Sequence, residues 1–174
     1  MKVETIAKTE WLSLRKMVDP DKGVGGYIYS HEDRCDGIII SILPYRVVDE
    51  KYEFLLRNEV TPAWSMNQSI SSITGGLEHG NLRETVVQEM AEEAGYEITK
   101  EDLIFLDKTR GTKSSDTIYY IYTVDLTGKE KTLDASGDGS ELEKQAECFW
   151  SDTIENAVDP FVYVAYYHIN SKIK

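Results

Sequence analysis

Three acids, Glu89, Glu92 and Glu93, stand at positions i, i+3 and i+4 of one segment. On a helix turning about 100° per residue they project within a single arc. Like charges at that spacing destabilise a bare helix by a few tenths of a kcal/mol per pair. Val86, Val87, Met90 and Ala94 fill the neighbouring arc and would anchor the helix, so the carboxylates are expected at the rim of its buried face, without basic partners. Clustered oxygen donors of that kind suit Mg²⁺, Mn²⁺ or Ca²⁺. A solvated acidic face in an acidic chain is the plain alternative. The preceding Gly75-Gly76 argues against it, because a strand ending in bare glycine backbone lets a metal-bound diphosphate approach closely.

The elements that must position this turn can be read on either side of it. Residues 82–96 predict a helix, with Asn81 at its cap, Glu84 completing a capping box and Gly95 at its end. Strands are expected at 9–17 and 26–31, joined by the turn 19–23, and at 36–48, where β-branched residues run without polar alternation. Further strands are expected at 52–60, 70–77, 103–107, 117–126 and 147–150, with a polar loop at 134–143 and a final helix over 159–172. Many strands, one central helix and one terminal helix predict an α+β chain, a mixed sheet sandwiched by helices.

The bulk properties limit what the turn can serve. A length of 174 residues favours one domain, 1–174, and a composition 41% hydrophobic and 29% charged is that of an ordinary globular chain. The net charge of −12 repels phosphate backbones and anionic membranes, so neither nucleic acid nor a membrane is expected as a partner. An anionic phosphate ligand would require an intervening cation. Cys35 and Cys148 read as reduced thiols of a cytoplasmic protein, and the N-terminus carries acids unlike a signal peptide. The longest apolar run, 37–44, falls far short of the roughly 20 residues of a membrane helix.

Residues 75–80 followed by 84–96 resemble the Nudix box. The motif's second half, Arg-Glu-aliphatic-any-Glu-Glu-any-Gly, is matched at Glu89, Met90, Glu92, Glu93 and Gly95. Gln88 stands where the family has arginine, and the glycine loop is shorter, so the first box glutamate has no counterpart. Those two residues brace each other as an ion pair in the family, and losing both leaves no stranded charge. The resemblance implies the Nudix fold, an α/β/α sandwich, with an N-terminal hairpin at 1–34 before a core at 35–174. It also implies Mg²⁺- or Mn²⁺-dependent hydrolysis of a nucleoside diphosphate linked to another moiety. Gly75, Glu89, Glu92 and Glu93 would then hold the metal, with Glu92 and Glu93 catalytic. A general base would come from the helix or from Asp138, Glu141, Glu143 or Glu147, since loops commonly carry function.

Segments 11–15 and 26–29 are similar to the extra hairpin of ADP-ribose pyrophosphatases, which implies a homodimer, and an ADP-sugar as the leading substrate. Segment 53–60 keeps Arg57 of their phosphate-binding strand, and 110–116 is similar to their distal substrate loop. Arg57, Arg110, Gly76 and His79 are the substrate-contact candidates, with Lys113 as a further phosphate contact. Trp64, Tyr27 and Tyr29 could stack on a base or pack in a core or dimer interface. Nucleoside triphosphates are the alternative substrates, and a nucleotide-binding regulatory module is the alternative to an enzyme.

Overall fold

The computed structural model describes residues 1–77, 80–135 and 141–172. Its chain opens with β1 (Lys2–Lys8), β2 (Leu12–Asp19) and β3 (Val24–Glu32), which pair antiparallel in that order. The expected hairpin therefore gains a strand. β1 is exposed along its whole length and lacks the apolar alternation that would have marked it.

Two segments expected as single strands are each broken and shared between two sheets. Segment 36–48 divides into β4 (Ile38–Ile42) and β5 (Tyr45–Val48) around Leu43-Pro44, where proline cannot donate to a ladder. Segment 70–77 divides at Ser72 into β7 (Gln68–Ser71) and β8 (Ile73–Gly76). The first halves and second halves part company: β4 and β8 pair with each other, while β5 and β7 both pair β6 (Lys51–Val60). At this crossing Ser72 is fully buried, its amide donates to Asp159 Oδ2 at 3.1 Å, and its hydroxyl lies 2.8 Å from Ser41 Oγ.

One four-stranded sheet then runs β8-β4-β10-β9, with β9 at Leu103–Thr109 and β10 at Ile118–Val124. β4 and β10 are its parallel pair, and the other pairings are antiparallel. The second sheet sets β11 (Glu147–Ser151) on one edge of β6, and β5 and β7 on the other. One mixed and one antiparallel sheet, flanked by two helices, fit the expected class.

α1 (Leu82–Glu89) covers one side, burying Val86 completely, and Met90 just beyond it is equally buried, against Ile40, Ile42 and Ile73. α2 (Pro160–Lys172) covers the other, seating Phe161, Val162, Ala165 and Ile169 against Phe54, Leu56 and Ile121. Fully burying a valine, isoleucine or methionine among these contributes roughly 1.5–3 kcal/mol relative to exposure.

Candidate functional site

Asn81 caps α1 as expected, its side chain accepting from the amides of Arg83 and Glu84 at 3.1 and 3.3 Å. Glu84 does not complete the capping box, because its carboxylate is paired with Lys100 Nζ. The larger departure lies beyond Glu89, where the α-helix gives way to a wider π-turn, Met90–Ala94. Gly95 ends it in the left-handed region at φ 76°, as its lack of a Cβ permits. Such π-turns recur at functional positions. Here the widening changes the rotation of Glu92 and Glu93 about the axis relative to Glu89, so α-helical spacing does not describe the trio.

The three carboxylates consequently have three different surroundings. Glu89 reaches back over β8, and a Cβ built on Gly75 would land on its carboxylate, so the bare backbone there is a requirement of close approach. Glu92 is exposed and accepts from Gln88 Nε2 at 3.1 Å, so the residue in the arginine position holds an acid through an uncharged donor. Glu93 turns inward, with its side chain 10% exposed and Oε2 3.0 Å from Arg57 Nη1. The expectation of an acidic turn without basic partners is thus corrected at Glu93.

Arg57 lies on β6 between β11 and β7, opposite Cys148 and Ser71. Its side chain is 4% exposed, and its Nε donates to Glu59 Oε2 at 2.9 Å while Nη1 faces Glu93. Burial opposes its charge, but the two carboxylates outweigh burial and raise its pKa above the ordinary value. An arginine expected to meet phosphate is therefore engaged by two acids in the interior. Ser71 Oγ donates to the other oxygen of Glu59 at 2.8 Å, extending the chain of contacts to β7. Cys148 Sγ donates to the Glu93 carbonyl at 3.5 Å, and burial pushes its thiol up to about 11.

Glu59 opens onto a cavity of about 160 Å³ on the other side of β8. Ile39, Thr61, Trp64, Ser71, Thr74, Tyr119, Asp159 and Phe161 complete its wall. Thr74 faces this cavity while Gly75 faces α1, as the alternation of a strand demands. Tyr119 and Phe161 stack at 3.9 Å between centroids, and Trp64 is 53% exposed at the rim. Asp159 caps α2 through the Phe161 amide at 2.8 Å. Over Gly76 lie Cys35 and Arg34; an added Cβ would come within 3.0 Å of Cys35 Cβ and 3.6 Å of Arg34 Nε. The Arg34 guanidinium in turn sits 5.3 Å from the centre of the Trp11 ring, linking the N-terminal sheet to the glycine pair.

The remaining candidates are dispersed. Arg110 and Lys113 line an open groove of about 470 Å³ with Tyr27 and Ser115, and this groove shares no residue with the Trp64 cavity. There Arg110 Nη1 donates to the Asp116 carbonyl and Tyr27 Oη to that of Lys113. Tyr29 is buried beside the same loop. Glu141 is exposed and paired with Lys144 at 2.7 Å, and Glu147 is exposed at the start of β11. His79, Asp138 and the side chain of Glu143 lie outside the described residues. Sequence reasoning missed Glu59 and Arg34. Glu59 was within reach, since residues two apart on a strand share a face and Arg57 was already a candidate. Arg34 reaches Gly76 only through tertiary folding.

Among the described residues no three His, Cys, Asp or Glu side chains converge to hold a metal ion by themselves. Magnesium is ordinarily bound through one or two carboxylates, with substrate phosphates and waters completing its shell. Glu89 on Gly75, together with Glu92, supplies hard oxygen donors for that mode. The residues therefore fit an ion arriving with a phosphate, and they do not form an all-protein cage.

No protein-family model matches the chain, and no curated protein matches it significantly. Solved structures do. An ADP compounds hydrolase superposes with a TM-score of 0.59 at 17% identity, over 87% of this chain and 75% of that one. A putative NUDIX hydrolase from Listeria monocytogenes gives 0.58 at 17%, over 78% of this chain and 93% of the other. A MutT/nudix family protein from Enterococcus faecalis gives 0.50 at 18%, over 65% and 42%. The chain has the Nudix fold. Among the described residues no helix is long and apolar enough to cross a membrane.

Proposed function

We propose that this chain is a divalent-cation-dependent hydrolase of nucleoside diphosphate derivatives, with an ADP-sugar as the leading substrate. The observation that carries the reading is the Glu89 carboxylate seated on Gly75, beside a cavity flanked by Trp64 on the opposite face of β8. The resemblance of the acidic turn to the Nudix box and the ADP compounds hydrolase among the structural neighbours support it.

Gly75, Glu89 and Glu92 would hold Mg²⁺ or Mn²⁺, with Glu93 joining them if Arg57 releases it. The ion would neutralise phosphate charge and lower the pKa of a bound water. Trp64 offers its ring to a base at the cavity rim, and Glu59 offers acceptor oxygens at the wall. Arg34 brings a positive charge to the bare backbone at Gly76, where a diphosphate would cross the strand end. Removal of the water's proton falls to a carboxylate of the turn or of residues 141–147. Incubation with Mg²⁺ or Mn²⁺ and a panel of ADP-sugars and nucleotides should release phosphate-bearing products from an ADP-sugar first. Silence across that panel in both metals overturns the reading.

The Arg57–Glu93 ion pair favours a second reading, a nucleotide-binding module with little turnover. Calorimetry showing tight ADP-ribose binding without product would support it, and turnover abolished by Glu92→Gln would exclude it. A homodimer belongs to the first reading: Leu12, Leu14 and Ile28 lie 40–51% exposed on one face of the N-terminal sheet. Light scattering should give twice the monomer mass, and Leu14→Glu should halve it.

A further inference from the structure

The side chains that join the acidic turn to the cavity form one line: Glu93 on the π-turn, Arg57 on β6, Glu59 further along β6, and Ser71 on β7. The guanidinium at its centre is interior, held in place by strands on both sides, and uses different nitrogens for its two acids. A cation placed on Glu93 would stand within a few ångströms of this fixed positive group. Repulsion between them, in a region little screened by solvent, would oppose binding of the metal alone. An anionic diphosphate reverses the balance, because its oxygens can take the fork of Arg57 in a planar, bidentate manner and complete the shell of the metal.

Resting on the reading of the site as a nucleotide diphosphate site, we infer that Arg57 is the resident counter-ion of Glu93. It competes with the divalent cation for that carboxylate, so that metal and diphosphate bind cooperatively. Without nucleotide, Arg57 offsets the charge of Glu93 and the metal meets Glu89 and Glu92 only. With nucleotide, Arg57 turns to phosphate and Glu93 joins the metal. The coupling is reciprocal: the nucleotide tightens the metal by the same factor as the metal tightens the nucleotide.

The test is Mn²⁺ binding to the protein, followed by the loss of the free-ion paramagnetic resonance signal with and without ADP, after subtraction of the Mn²⁺ that ADP takes up in a protein-free sample, and with no turnover required. In the unmodified protein, ADP should tighten Mn²⁺ by about tenfold or more, within the usual range of site coupling. Glu93→Gln, which keeps the side-chain volume, should abolish most of the ADP effect, weakening Mn²⁺ binding far more with ADP than without it. Arg57→Met, once circular dichroism shows it folded, should bind Mn²⁺ alone at least about fivefold more tightly, with little further gain from ADP.

Two results overturn the inference while leaving the site reading intact. One is Glu93→Gln losing Mn²⁺ affinity without ADP as strongly as with it, which would make Glu93 an ordinary ligand throughout. The other is Arg57→Met retaining both the unmodified affinity and the full ADP effect. Failure of the unmodified protein to bind Mn²⁺ either with or without ADP removes the site reading itself, and the inference with it. Should Arg57→Met not fold, the Glu93→Gln titrations decide alone.

Discussion

Two regions gather positive side chains in this strongly acidic protein, and they handle charge in opposite ways. On β6, Arg57 is 4% exposed and bridges Glu59 and Glu93 across the gap between sheet and helix turn. In the 110–116 loop, Arg110 and Lys113 stand exposed around an open groove, held by backbone carbonyl contacts of Arg110 and Tyr27. Water screens the second set, so its charges cost little to keep and contribute little to folding. The first set is desolvated, and removing any member exposes its partners to an environment that cannot solvate them. The difference separates two uses of arginine: a buried group that sets the electrostatics of the acidic turn and can meet a ligand only by leaving Glu93, and an exposed group able to meet a ligand at little structural cost.

The comparison breaks most directly at Arg57. Arg57→Met should destabilise the protein by about 3–5 kcal/mol, the usual cost of stranding buried charge, because Glu59 and Glu93 both lose their counter-ion. Urea unfolding measures it, and a change below about 1 kcal/mol would show that the contacts are solvated in solution.

Cys148, packed beside the same pair, gives the next effect through pH. Its thiol is raised from an ordinary 9.0 to about 11 by burial. Below pH 9 both folded and unfolded forms hold the proton, and the full stability is present. Between pH 9 and 11 the unfolded thiol ionises while the folded one does not, so stability falls as pH rises, by about 2–3 kcal/mol in all. Unfolding titrations across that window should show the loss, and Cys148→Ala should flatten it.

How much of this was legible beforehand follows from the range of each interaction. The acidic turn, its Asn81 cap, the Gly95 stop and the glycine pair are local patterns, written within one stretch of chain. The breaks at Pro44 and Ser72 carried weaker local signals, since an apolar run does not say which sheet it belongs to. The wide turn after Glu89 had none: its residues are good helix formers, and the packing of Met90 and Ala94 with Tyr96 in the α1-side core accompanies the extra residue. Arg57 was marked by type as a phosphate contact, yet its partner on the helix lies 36 residues further along the chain, a pairing that only the fold creates. Charge type is visible in a sequence, and charge partnership is not.

Gly75 tests the opposite case, a residue placed for a site at little cost to the fold. In Gly75→Ala the new methyl meets the carboxylate and Cγ of Glu89, and that side chain must shift to admit it. Stability should change by no more than about 1 kcal/mol, while Mn²⁺ binding in the presence of ADP weakens by about tenfold or more. Equal losses in both measurements would mean that Glu89 is held by packing and not by the open space above the glycine.

The exposed groove yields the smallest effect and sharpens the contrast most. Arg110→Ala should shift stability within about 0.5 kcal/mol, as ordinary surface changes do, even though the side chain donates to the Asp116 carbonyl, because water replaces that contact at an exposed site. If the groove receives the distal part of the substrate, KM rises a few-fold with kcat unchanged, and the difference shrinks as salt is raised. Arg57→Lys should do the reverse: it retains the charge but not the fork, so stability falls, and the penalty persists at high salt because the pair is shielded from the solvent ions. A salt-sensitive effect at one arginine and a salt-insensitive one at the other would follow directly from where each guanidinium sits.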